Sequence, residues 1–122
     1  MPVNRISEKS LHKLLKETIN EEALCVIKFY SNGCEYCHNL QEYYQEIASS
    51  YEGVENVYFF AFNVDDVPEM DKLIKLNGVP SIATIKTGLL KPRIRMLQDP
   101  DPPNKSTWYY SNDIKEFIEK EK

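Results

Sequence analysis

A chain of 122 residues with 42% hydrophobic and 28% charged side chains is long enough for one domain with its own core. Its formal net charge of −4, from 15 basic and 19 acidic side chains, argues against a nucleic-acid-binding surface spread over the domain. No apolar run approaches the ~18 residues of a membrane span, and the opening MPVNRISEKSLHKLLKETINEE lacks the apolar core of a secretory signal, so a reducing, cytoplasmic setting is expected.

In chain order, residues 7–20 place Leu11, Leu14, Leu15 and Ile19 on one helical stripe, with Ser7 as N-cap and His12 facing solvent. ALCVIKFY, residues 23–30, is a nearly continuous apolar run and predicts a strand buried on both faces. It stops at the turn signal Ser31-Asn32-Gly33. Cys37, Leu40, Tyr44, Ile47, Ala48 and Tyr51 then recur at three- and four-residue steps, which predicts a helix ending near Gly53. NVYFFAFNV, residues 56–64, reads as a second buried strand. Asp65-Asp66-Val67-Pro68 opens a short helix with Met70, Leu73 and Ile74 inward, closed by Asn77-Gly78. SIATIK (81–86) and RIRML (93–97) predict a hairpin across Thr87-Gly88, Pro92 suiting an edge strand. Ile114, Phe117 and Ile118 mark a last helix capped by Ser111, Asn112 or Asp113. A strand–helix–strand unit with a helical crossover gives a parallel pair, and the hairpin adds antiparallel strands. The fold class is α/β: one domain over residues 1–122, with a mixed sheet flanked by helices.

The three cysteines are too few and too odd in number for a disulfide scaffold. Cys25 lies mid-strand in an apolar run and reads as an inert core residue. Cys34-Glu35-Tyr36-Cys37 falls where a strand meets a helix. Two intervening residues put the first sulfur at the helix N-terminus and the second one turn later, close enough to pair or act in succession. Unpaired N–H groups and the helix dipole favour thiolate on Cys34, while Cys37, further inside, would resolve a mixed disulfide. Glu35 disfavours that thiolate, weakly if exposed. His38 completes the C-x-x-C-H pattern of haem c attachment, with Met70 or Met96 as conceivable distal ligands. The buried strand before the motif and the α/β order speak against that use, and for His38 as a first-turn residue tuning charge. Zinc lacks ligands, since only two His accompany the three Cys.

These residues resemble the thioredoxin family over roughly residues 23–97 plus the last helix. The likeness rests on ALCVIKFY before CEYC, on Asn63-Val64-Asp65, and on Gly78-Val79-Pro80-Ser81 before the hairpin. It implies a thioredoxin-like fold and a cis Val79–Pro80 bond facing the dithiol, whose backbone would pair with an extended substrate segment. It also implies a protein disulfide oxidoreductase with no bound cofactor, protein disulfide substrates and a reductase or dithiol that regenerates it. No membrane or nucleic-acid partner is expected, and a monomer is. The sequence departs from the family in several places. Gly33 stands where the family commonly has Trp, and Glu35-Tyr36 replace Gly-Pro or Gly-His. Tyr36 resembles glutaredoxins, yet their Gly-Gly-Asp is absent after IATIKTG, which weakens a glutathione-dependent alternative. No proline interrupts residues 38–51.

Lys28 occupies the place, six before Cys34, of a buried acid in thioredoxins. At ~6 Å and an effective dielectric of ~20, a full positive charge there would favour the thiolate by roughly 3 kcal/mol, about two pK units. That would stabilise the reduced form. A neutral Lys28 could instead accept a proton, or the stem could pack while the ammonium reaches solvent. The stretch Gln98–Thr107 is longer than the family's usual connection, and the hairpin geometry returns it to the dithiol end. Trp108 behind it is a candidate for substrate recognition, or a cap on the core. A competing function is a binding subunit of this fold whose cysteines are dispensable. Lys, Asn, Ile, Tyr, Phe and Met make up 47 of the 122 residues, a bias of AT-rich codons that fits a low-GC cellular or viral genome.

Overall fold

The computed structural model describes residues 3–122. Five strands form one mixed sheet: β1 (Val3–Arg5), β2 (Ala23–Tyr30), β3 (Val57–Asn63), β4 (Ser81–Thr87) and β5 (Arg93–Met96), in the order β1-β3-β2-β4-β5. β1 and β2 pair parallel with β3, while β4 runs antiparallel to both β2 and β5. The helices are α1 (Glu8–Lys16), α2 (Glu35–Ser50) and α3 (Ser111–Glu121). The expected α/β fold with a parallel pair and a following hairpin is the observed one. Among the described residues no helix is long and apolar enough to cross a membrane.

Strand periodicity divides the core in two. Leu24 and Val26 of β2 join Leu40, Tyr44, Ile47, Ile114 and Ile118 of α2 and α3 on one face. Cys25, Ile27 and Phe29 join Leu11 and Leu15 of α1, with Val67 and Ile74, on the other. Successive residues of a strand point to opposite faces, so Lys28 falls in phase with Leu24 and Val26, on the side of α2. Tyr44 anchors that helix: its hydroxyl lies 3.0 Å from the Val26 carbonyl and 2.8 Å from that of Phe60, so its single proton is shared between β2 and β3.

Three local readings need correction, and one strand lies where none is expected. Val3–Arg5, without a helical or apolar pattern, adds a fifth strand beside β3. α1 ends at Lys16 rather than reaching residue 20, and the Ile19 carbonyl instead accepts the Gly88 N–H at 2.9 Å. Residues 65–77 do not make a helix but two 3₁₀ turns, Val64–Asp66 and Met70–Lys72. Pro68 accounts for the break, since the residue before proline is steered out of the helical region and Val67 is extended. Ile74 is nonetheless buried, with Met70 and Leu73 packed beside it. At α3 the cap position is Tyr110, which makes no side-chain capping bond. Ser7 does cap α1, accepting the Ser10 N–H at 3.1 Å.

Candidate active site

β2 delivers the chain to the dithiol through Ser31-Asn32-Gly33, and that turn is fastened to the end of β3. The Asn32 N–H donates to Asp65 Oδ2 at 2.8 Å, and Asn63 Nδ2 donates to Asn32 Oδ1 at 2.9 Å. Asn63 Oδ1 in turn accepts the Asp65 N–H at 3.0 Å. His38, one turn into α2, closes the same turn from the other side, its Nε2 lying 2.9 Å from the Asn32 carbonyl. A carbonyl only accepts, so this contact requires the proton on Nε2. The positioning roles of Asn32, Asn63 and Asp65 escape a sequence reading. Their signals are the turn Ser31-Asn32-Gly33 and the string Asn63-Val64-Asp65, which lie 31 and 33 residues apart at the bonded positions and do not announce each other.

Cys34 is the N-cap of α2, and Cys34 and Cys37 are joined as a disulfide with Cα atoms 5.2 Å apart. The Cys37 N–H points at Cys34 Sγ at 3.0 Å. An amide of the first turn directed at this sulfur, with the helix dipole behind it, stabilises negative charge on Cys34 more than on Cys37. Both sulfurs are sheltered, Cys34 at 8% and Cys37 at 2% exposure, with Cys34 the more accessible. Cys25 is a free buried thiol on the opposite face of the sheet, and burial pushes it up to about 11. Glu35 is exposed in the first turn of α2.

Lys28 is only 5% exposed. Its Nζ stands over the rings of Tyr44 and Tyr30, 5.4 and 5.7 Å from their centroids, and among the described residues it forms no ion pair. Desolvation pulls the ammonium from its ordinary 10.5 down to about 8, so it remains mostly protonated at neutral pH. Lys28 and Cys37 line the same cavity of about 260 Å³ behind the dithiol.

The Val79–Pro80 peptide bond is cis, as is Asp101–Pro102. Ser81 pairs with Phe29, which places Pro80, buried, and Val79, half-buried, at the sheet end from which β2 enters the dithiol turn. β5 returns toward that end, and the loop after it lies along the start of α2. Asn39 Nδ2 donates to the Ser106 carbonyl at 2.9 Å, and the rings of Tyr36 and Trp108 meet edge to face at 5.5 Å. Trp108 is half-buried, packs on the α2–α3 core, and donates its indole N–H to Asp99 Oδ1 at 3.1 Å. Its neighbour Tyr109 is buried in that core and also donates to Asp99, at 3.2 Å. The structure therefore brings Cys34, Cys37, Tyr36, His38, Lys28 and Trp108 to one end of the sheet. Among the described residues no group of three or more His, Cys, Asp or Glu is placed to hold a metal ion.

A cysteine pair at a strand-to-helix junction, with a cis proline at the head of the neighbouring antiparallel strand, defines a thioredoxin-like dithiol protein. The family model described as Thioredoxin matches residues 4–102, and the chain belongs to the thioredoxin family. It is similar to a thioredoxin of Peptoclostridium acidaminophilum, 31% identical over 72 residues, an alignment covering 59% of this chain and 64% of that relative. Among solved structures, the J-Trx1 fragment of ERdj5 superposes with a TM-score of 0.71 at 18% identity, over 98% of this chain and 50% of the other. The chain thus spans less than two thirds of the length of either protein.

Proposed function

We propose that the protein is a thiol–disulfide oxidoreductase acting on protein disulfides, with residues 1–122 as one thioredoxin-like domain. The observation that carries this reading is the Cys34–Cys37 pair at the start of α2, with the Cys37 amide directed at the more accessible sulfur. In the reduced protein the Cys34 thiolate attacks one sulfur of a substrate disulfide. A Cys34–substrate disulfide forms and the other substrate sulfur leaves as thiolate. Cys37, deprotonated, then attacks Cys34 Sγ, expels the second substrate thiolate, and leaves the Cys34–Cys37 disulfide. Two electrons pass to the substrate, and a reductase or dithiol donor in a cytoplasmic setting returns them. Val79 and Pro80, at the dithiol end of the sheet, offer backbone to an extended substrate segment. Trp108 and Tyr36 supply an aromatic surface beside Cys34, in place of the Trp that Gly33 replaces.

Trapping tests this directly. Cys37→Ser removes the resolving thiol, so disulfide-linked complexes through Cys34 should accumulate and disappear on reduction. No trapped partner, with Cys34 shown to be reactive toward a small alkylating agent, would contradict the proposal. Full biological activity of the Cys34→Ser, Cys37→Ser double variant would instead favour a binding subunit with dispensable cysteines.

A further inference from the structure

The cavity behind the dithiol has a composition unlike the rest of this acidic protein. Of the charged residues lining it, Lys28 and Arg5 are both cationic, and among the described residues no Asp or Glu contributes to its walls. Arg5 already pairs at 3.4 Å with Asp66 on the exposed side, a contact of little consequence in water. Among the described residues Lys28 has no such partner. A buried ammonium without a counter-charge is costly to maintain, and here only the faces of Tyr30 and Tyr44 stand under it. The remaining walls divide by chemistry. Val3, Ala61 and the two tyrosine rings are apolar, while Gln41 and Gln45 present amides and His38 an imidazole from α2. At about 260 Å³ the space falls just below the range of roughly 300–1,000 Å³ that takes drug-sized ligands, so it suits something smaller.

We propose that this cavity is a binding site for a small organic carboxylate, its anionic head on Lys28 and its apolar body between the tyrosine rings, on the inner side of Cys37. The depressed proton affinity of Lys28 accords with a charge awaiting a counter-ion. Coupling to the dithiol, which rests on the redox reading above, follows from charge alone. Reduction opens the disulfide and puts the Cys34 thiolate next to the Cys37 wall of the cavity, where it repels a bound anion and competes for Lys28. The anion therefore binds the disulfide form more tightly, and by reciprocity its presence makes the dithiol the stronger reductant.

The test titrates the oxidised full chain with benzoate near neutral pH, followed by backbone amide NMR shifts. Benzamide serves as the neutral isostere and inorganic phosphate as the bare anion. The proposal expects saturable shifts at Lys28, Cys37, Gln41 and Gln45, and affinity at least about tenfold weaker for benzamide and for phosphate. It expects a similar loss in Lys28→Met, and in Gln45→Phe, which fills the space from the helix surface and keeps Lys28 should the first variant fold poorly. No saturable shift, equal binding of benzamide, or undiminished binding in both variants would overturn the site. Phosphate binding as tightly as benzoate would overturn its carboxylate preference. The reduced protein should bind benzoate severalfold more weakly, and equal affinities would overturn the coupling. None of the oxidised-state titrations needs turnover, so saturable binding by a protein inactive on disulfides would sink the redox reading and leave the site standing.

Discussion

Two side chains on opposite faces of β2 show how much a single residue's surroundings decide. Cys25 and Lys28 are both buried, yet Cys25 sits in an apolar cluster and burial keeps it a thiol, whereas Lys28 borders a cavity shared with Cys37. The depressed proton affinity of Lys28 has a stability consequence with a definite sign. Its folded value, about 8, lies below the unfolded 10.5, so between these the unfolded chain binds more protons and stability rises with pH. The cost of holding the charge buried, at most about 3 kcal/mol, is present in full below pH 8. Lys28→Met should therefore be more stable than the parent at pH 7 in urea unfolding, with the advantage shrinking as pH approaches 10. A difference independent of pH would contradict this. Redox chemistry supplies a second readout. Lys28→Asp replaces a charge that favours thiolate with one that opposes it, and should shift the equilibrium with a reference dithiol toward the disulfide form by about tenfold or more. An unchanged equilibrium would show that Lys28 does not act on the sulfurs.

At the scale of elements, the connections carry more of the site than the helices do. Trp108 has a positive φ of 68°, a conformation that costs a non-glycine residue of order 1 kcal/mol or more. It is held there by reciprocal backbone hydrogen bonds to Asn104 at 2.9 and 3.0 Å, by Asp99 and by the Tyr36 ring. Trp108→Ala should lower stability by about 2 kcal/mol and slow reduction of a protein disulfide about fivefold, roughly the loss of one modest contact. A stability loss with an unchanged rate on the folded variant would confine Trp108 to packing. The β4–β5 turn depends on Gly88 for a plainer reason. Its φ is +86°, and an added Cβ would lie 2.8 Å from the Glu22 Cα, a backbone atom that cannot swing aside. Gly88→Ala should cost roughly 1–3 kcal/mol, seen as a lower urea midpoint with unchanged dithiol chemistry in the folded protein. An undiminished midpoint would mean that this turn shifts freely.

Over the whole molecule, the sheet sorts the sequence into two cores and brings chemistry to one end. Much of this could be read in advance because the elements are strongly patterned. The two-residue period of ALCVIKFY and the three- and four-residue steps from Cys37 to Tyr51 each admit one burial, and a crossover between two buried strands admits one handedness. The rest depended on pairings that a linear pattern does not encode. Val3–Arg5 is too short and polar to signal a strand until β3 lies beside it, and Pro68 overrules the apolar stripe that suggests a helix through Ile74. The site divides the same way. Cys34 and Cys37 were evident from spacing, whereas the Asn32–Asn63–Asp65 clasp and the Trp108–Asp99 bond join residues that only folding makes neighbours. The central claim is that the Cys34–Cys37 pair passes electrons to protein disulfides, and a turnover assay with a small dithiol as reductant measures it most directly. The wild-type chain should accelerate reduction of a protein disulfide about a hundredfold over Cys34→Ser at equal concentration. Equal rates for the two proteins, both folded, would contradict it.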